Sequence, residues 1–224
     1  MTPDPSLLAR CDAVSRTYGV GPGCVVAVHD VSCAVRTGER IVITGPSGSG
    51  KSTLLHMLAG LETPTGGTVC WPALGDRERL RPLAVATIFQ GPSLLPPLDV
   101  LENVALPLLL AGVSPEQALA AARTALAALG IEALAIKLPE DLSGGQAQRA
   151  AVARVLVGTP RLILADEPTG QLDHATGEHM LDVLEEAVAR LGASLVLTTH
   201  DRRIAARYPT AWAMEDGRLL PGAA

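Results

Sequence analysis

One stretch, Gly45-Pro46-Ser47-Gly48-Ser49-Gly50-Lys51-Ser52-Thr53, constrains this chain more than any other. It fits the spacing G-x-x-x-x-G-K-[ST] at every position. Arg40 to Thr44, just before it, is a β-branched apolar run and predicts a buried parallel strand. Ser52 to Ala59 carries Leu54, Leu55, Leu58 and Ala59 at helical spacing, with Gly60 as the stop. A strand, a glycine-rich turn and a helix start together make an anion site. Backbone N–H groups converge there and the helix dipole favours negative charge. Gly45, Ser47, Gly48, Ser49 and Gly50 supply the cradle, with Lys51, Ser52 and Thr53 opening the helix. Lys51 is placed to reach the outer phosphates of a nucleotide, and the Ser52 hydroxyl to join a Mg²⁺ shell.

The 224 residues predict one domain, or one with a subdomain. An apolar fraction of 48% supports a sizeable core, packed by aliphatics because there are only two Trp, two Tyr and one Phe. A net charge of −5 gives no basic footprint for nucleic acid, so none is expected as a partner. The longest apolar stretch, Val104 to Val113, contains Pro107 and is too short to span a bilayer. The opening residues Met1 to Pro5 lack the pattern of a secretory signal. Cys11, Cys24, Cys33 and Cys70 have neither CxxC spacing nor His partners, and are expected to be buried free thiols. Together these features predict a soluble, intracellular protein.

Residues 7 to 43 read as short strands with turns, including Val25 to Val28 and Val31 to Val35. Tyr18 is either a stacking platform for a base or a strand-edge tyrosine. Between Gly66 and Pro82 the pattern weakens, and Asp76 to Arg79 reads as a solvated charged face. Leu83 to Phe89 is again strand-like and ends at Gln90. That glutamine is either on the ligand-binding edge of an α/β sheet or an ordinary loop residue. Leu94 to Gly158 reads as helical, with Ser114-Pro115 opening one helix and Ser143 capping another through Gln146. Gly144 and Gly145 in that first turn weaken the helix, and make sense where something must approach its backbone. Leu162 to Ala165 is a buried strand delivering Asp166 and Glu167. Two acids there are costly unless a cation or a reacting water uses them, so Asp166 suits Mg²⁺ and Glu167 an attacking water. A helix bearing Met180, Leu184, Val188 and Leu191 on one face ends at Gly192. The strand Ser194 to Thr199 then delivers His200, and Trp212 to Met214 with Arg218 to Leu220 form a hairpin.

The glycine loop, Gln90 after a strand, Leu142-Ser143-Gly144-Gly145-Gln146, the strand ending in Asp166-Glu167 and the strand ending in His200 come in an order that resembles the nucleotide-binding subunits of ATP-binding cassette transporters. The likeness runs from about Leu7 to Leu220. It implies an α/β P-loop NTPase with a mostly parallel sheet core, an N-terminal antiparallel β subdomain and a helical insertion subdomain. The core would take residues 1–90 and 159–224, and the helical part 91–158. The resemblance further implies adenine stacking by Tyr18, phosphate binding by Gly48 to Thr53, and Mg²⁺ or water positioning by Gln90. Asp166 would contact Mg²⁺, Glu167 would act as general base and His200 would sense the γ-phosphate. Ser143 and Gly145 would meet the nucleotide of a second copy, and Asp173 would lie at the dimer seam. A physical reason supports that pairing: the glycine loop has its own anion, so the helix start at Ser143 to Gln146 needs another. Phe89 to Pro96, Glu102 to Val104 and Asp166 to Asp173 look like the lipoprotein-release, macrolide-export and peptide-antibiotic-resistance group, with Gln171 and a shorter Thr68 to Ala84 stretch as departures. ATP and Mg²⁺ as cofactors, a separate permease, and a peripheral place on the inner face of the cell membrane follow as expectations. The alternative is an ATP-switch subunit, as in cell division, that moves no substrate.

Overall fold

β3 (Arg40–Thr44) is the strand predicted ahead of the glycine loop, and Ile41, Val42 and Ile43 at its centre are buried. The computed structural model describes residues 4–91, 93–170 and 172–220. Met1 to Pro3, Pro92, the departure at Gln171 and the tail from Pro221 therefore lie outside the described residues. The chain divides into two compact units.

The first unit holds residues 4–80, 164–167 and 194–220. There β3 pairs in parallel with β7 (Ser194–Thr199), from Arg40↔Leu195 to Thr44↔Thr199, and with β8 (Thr210–Glu215), from Ile41↔Thr210 to Thr44↔Ala213. The end of β6 (Leu162–Asp166) flanks β7, and β9 (Arg218–Leu219) flanks β8, giving the order β6-β7-β3-β8-β9. All six β7 residues are buried, as expected of a parallel strand covered on both faces. Asp216 and Gly217, with φ of 45° and 77°, make the tight turn of the predicted hairpin. The Gly217 N–H donates to Ser49 O at 3.1 Å, so this turn also anchors the glycine loop. α1 (Lys51–Leu58) ends where Trp71 Nε1 donates to Leu58 O at 2.7 Å and Gly60 turns left-handed.

The antiparallel sheet has the order β2-β1-β4, from β1 (Leu7–Tyr18), β2 (Val25–Arg36) and β4 (Gly66–Cys70). Three features differ from expectation. First, Val25 to Val28 and Val31 to Val35 belong to one long strand, carried past an irregularity at Asp30 with φ of 52°. Second, β4 sits where the pattern is weak, because the close crossing demands glycine, a poor strand former. A Cβ on Gly67 would lie 2.2 Å from Ala13 O. Third, Cys11 and Cys33 face each other in buried register, but Cys24 and Cys70 are exposed. The hydrogen bond that the Cys11 thiol makes to Cys33, and then burial, push that thiol well up. Asp76 to Arg79 is exposed as expected, though Arg77 Nε also donates to Gly60 O at 2.8 Å.

The second unit holds residues 81–91, 93–163, 168–170 and 172–193. It contains β5 (Val85–Ile88), α2 (Val100–Leu110), α3 (Pro115–Ala128), α4 (Gly144–Leu156) and α5 (His174–Leu191). Each helix begins at a side-chain cap: Asp99, Ser114, Ser143 and Asp173. Ala118, Ala122, Ala150 and Ala151 are buried, and these small side chains let α3 and α4 pack closely. On α5, Met180, Leu181, Leu184 and Val188 face inward, while Leu191 at its end is 36% exposed. Among the described residues no helix is long and apolar enough to cross a membrane.

Fully buried Asn103 ties the approach to α2 in place. Its Oδ1 accepts from Leu95 N–H at 2.7 Å, and its Nδ2 donates to Leu95 O, Leu98 O and Asp99 O. Asn103→Ala takes their side-chain partner from Leu95 N–H and Leu98 O, while Leu95 O and Asp99 O keep the backbone N–H groups of Leu98 and Asn103. It should cost about 2–4 kcal/mol of unfolding free energy in a urea melt, since orphaned buried polar groups cost ~1–3 kcal/mol each and neighbours recover part.

Candidate functional site

The glycine loop leaves β3 through backbone that only glycine adopts without strain: φ is 150° at Gly45, 79° at Gly48 and 96° at Gly50. A Cβ on Gly45 would sit 2.1 Å from Met214 O, and one on Gly50 2.1 Å from Ala27 O. Gly50 is the N-cap of α1 and no side chain caps the helix. The first-turn N–H groups of Lys51, Ser52 and Thr53 are thus left for a ligand. Lys51 is only 4% exposed, and its Nζ donates to Gly45 O at 2.9 Å and Pro46 O at 2.8 Å. The Ser49 Oγ is buried without a hydrogen-bond partner. Ser47 and Gly48 form the exposed crest of the loop. A bare cradle of N–H groups above a buried ammonium fits a polyphosphate.

Parallel β3 and β7 end on the same edge, and Asp166 at the end of β6 meets them there, which gathers the acids and the histidine around this loop. Asp166, 7% exposed, accepts from Ser52 Oγ at 2.9 Å and Thr198 Oγ1 at 2.6 Å. His56 Nε2 lies 3.8 Å from its other oxygen. Glu167 has φ of 41°, a left-handed backbone unusual outside glycine. Its N–H donates to Thr198 Oγ1 at 2.9 Å. Its carboxylate lies 3.2 Å from His200 Nδ1 and 4.0 Å from Lys51 Nζ. His200 remains mostly exposed, and a cavity of about 610 Å³ opens beside it, lined by Thr44, Gly45, Pro46, Asp201 and Arg202 among others. Among the described residues no cluster of three His, Cys, Asp or Glu exists to cage a metal. One hydroxyl and one carboxylate, Ser52 and Asp166, are instead the donor pair that fits a Mg²⁺ shared with phosphate oxygens. Sequence reasoning missed Thr198. The available signal was a threonine directly after the apolar run Leu195 to Leu197.

Tyr18 lies apart from these groups on β1. Its hydroxyl donates to Glu62 at 3.0 Å, and the Arg16 guanidinium sits 4.6 Å from the ring centroid, covering one ring face. Gln90, Ser143 to Gln146 and Asp173 belong to the second unit. Gln90 is exposed two residues beyond β5. Ser143 and Gln146 form the predicted capping box: Ser143 Oγ accepts from Gln146 N–H at 3.3 Å, and Gln146 Oε1 from Ser143 N–H at 3.0 Å. Nothing within 4 Å would meet a Cβ on Gly144, while one on Gly145 would meet Thr176 at 3.0 Å. Asp173 is the N-cap of α5 and accepts from Thr176 N–H at 3.1 Å, which holds its carboxyl below the usual range. Arg154, whose burial pushes its pKa down, donates to Ser93 O at 2.7 Å and to the Ser93 hydroxyl.

Comparison with known proteins agrees with this geometry. The family described as ABC transporter matches residues 28–170. The lipoprotein-releasing system ATP-binding protein LolD of Shewanella denitrificans is 40% identical over 98% of this chain and 97% of its own length. Its namesake from Legionella pneumophila is 41% identical over 91% of this chain and 93% of its own length. Among solved structures, the ATP-binding cassette MJ0796, dimeric in a post-hydrolysis state bound to ADP and Pi, superposes with a TM-score of 0.85 at 34% identity, covering 95% of this chain and 96% of that one. The cassette cbiO1 of Clostridium perfringens gives a TM-score of 0.81 at 26% identity, over 96% and 87% of the two chains. With the P-loop NTPase fold, the chain belongs to the ABC transporter family as an ATP-binding, ATP-hydrolysing subunit.

Proposed function

We propose that two copies of this chain, set head to tail, bury two ATP molecules between them and drive a separate membrane permease that releases lipoproteins. The observation that carries the pairing is the start of α4. Gly144 has open space around it and no demand from its own chain for glycine, as expected where a ligand approaches from outside. The dimeric relative MJ0796 supports a second copy, and the LolD relatives support lipoprotein release and a permease partner. The chain would then act as one cassette, with core 1–90 and 159–224 and a helical part 91–158. It would sit on the cytoplasmic face of the membrane through the permease.

In this reading Tyr18 stacks on adenine through its remaining ring face. Gly45 to Thr53 hold the phosphates, with Lys51 on the outer ones. Ser52 and Asp166 would hold Mg²⁺, which when bound would neutralise charge developing on the phosphate oxygens. Glu167 accepts a proton of the attacking water while the water oxygen bonds to the outermost phosphorus. The bond from that phosphorus to the bridging oxygen breaks, the diphosphate leaving with the bridging oxygen. His200, 3.2 Å from Glu167, orients that carboxylate and contacts the outermost phosphate. Ser143, Gly144, Gly145 and Gln146 of the second copy close over it, and Asp173 lines the seam.

Glu167→Gln should bind a fluorescent ATP analogue as the parent does, yet lose roughly 10²–10⁴-fold in kcat, the usual worth of a positioned general base. It should also elute as a dimer with ATP. Hydrolysis at the parent rate would remove Glu167 from the role. A mixing experiment tests the pairing. Lys51→Ala and Ser143→Arg should each be inactive alone, but together regain activity, because a mixed pair has one site with an intact Lys51 under an intact Ser143. Silence on mixing, with mixed dimers shown to form, would mean the second copy contributes nothing to the site.

A further inference from the structure

Thr198 is fully buried in β7, where its strand partner is Ile43. A hydroxyl in such a place costs free energy unless it is hydrogen-bonded, and an aliphatic side chain of the same shape would bury without that cost. Both of its bonds go to the acids of the site. It accepts from Glu167 N–H at 2.9 Å and donates to Asp166 Oδ1 at 2.6 Å. The neighbouring Thr199 hydroxyl, by contrast, serves only a local turn, accepting from Asp201 N–H at 3.0 Å. We infer that Thr198 is a positioning residue for ATP hydrolysis, its hydroxyl joining the backbone of Glu167 to the carboxylate of Asp166.

Glu167 holds a backbone conformation with φ of 41° that a side chain disfavours, so something must fix it. The bond to its N–H is that restraint. With it, the Glu167 carboxylate stays between His200 and Lys51; without it, the residue can relax toward an ordinary φ and swing the carboxylate away. The same hydroxyl takes one lone pair of Asp166 Oδ1, the oxygen that also accepts from Ser52, and so sets how that carboxylate faces the Ser52 hydroxyl. One oxygen atom therefore registers the group assigned to the water against the group assigned to Mg²⁺. Its ideal place is the interior of a strand, where it cannot shift.

The inference rests on the proposed roles of Glu167 and Asp166, and the experiment separates the two. Thr198→Val keeps the shape and removes the hydroxyl; Thr198→Ser keeps the hydroxyl. The valine variant should lose about 10–100-fold in kcat, the usual effect of removing a partner that orients a site group, with KM within about twofold of the parent. The serine variant should recover most of the rate. In the nucleotide-free protein, amide hydrogen exchange at Glu167 should be at least about tenfold faster with valine than in the parent or the serine variant. A merely structural threonine would lower thermal stability without splitting kcat from KM, and that pattern overturns the inference. A valine variant as fast as the parent, beside an inactive Glu167→Gln, overturns it and leaves the Glu167 reading standing. A Glu167→Gln enzyme at the parent rate overturns both. Should the valine variant not fold, the parent decides: a Glu167 amide exchanging as fast as an exposed loop amide rules the restraint out.

Discussion

A turn with no room for a Cβ governs the first unit. Gly45 lies against the Met214 carbonyl and Gly50 against that of Ala27, so the loop is pressed between β8 and β2. That contact fixes where α1 starts and keeps its first N–H groups free of side-chain caps. Lys51 follows as a consequence. Its charge is tolerated at 4% exposure because two loop carbonyls receive it. Any larger residue at Gly45 or Gly50 would push the loop off both neighbours, and the anion site would be lost with it.

The parallel sheet then does for the acids what the loop does for the first N–H groups of α1. β3, β6 and β7 are buried along their lengths, so their polar residues can emerge only at the strand ends. β3 and β7 run parallel, and the end of β6 meets theirs at one edge. Asp166, Glu167 and His200, far from Lys51 in sequence, meet it there. The site is thus a result of strand direction and burial, with hydrogen bonds setting the final few tenths of an ångström.

That logic explains which parts were legible from sequence. β3, α1, β6 and β7 announce themselves through unbroken apolar runs and glycine stops, and they carry most of the site. The capped starts of α3 and α4 are equally local, since Ser114 and Ser143 each bond a group only three residues on. What escaped is non-local. β4 depends on Gly67 slipping past the Ala13 carbonyl, a contact between distant segments. The exposure of Cys24 and Cys70 depends on which strand faces lie open, and Arg16 over Tyr18 on a register that no pattern of alternation encodes. Thr198 looked like one more β-branched residue; only the register of three strands turns its hydroxyl into a link.

The two glycine-rich helix starts differ in a way that bears on the order of events. At Gly50 no side chain competes for the first-turn N–H groups, and a buried ammonium stands beside them. At Ser143 the capping box already consumes the Gln146 N–H, and the start is exposed. On the proposed roles the first is therefore the stronger anion site, with uncapped N–H groups beside an ammonium, and the second is weaker and already capped when empty. On the proposed pairing, nucleotide settles in the strong site first and its outermost phosphate then recruits the weak one from the second copy. Loss of that phosphate removes the weak contact before the strong one. An association that ends when the phosphate leaves, while the diphosphate stays held, is what a cycling motor subunit requires.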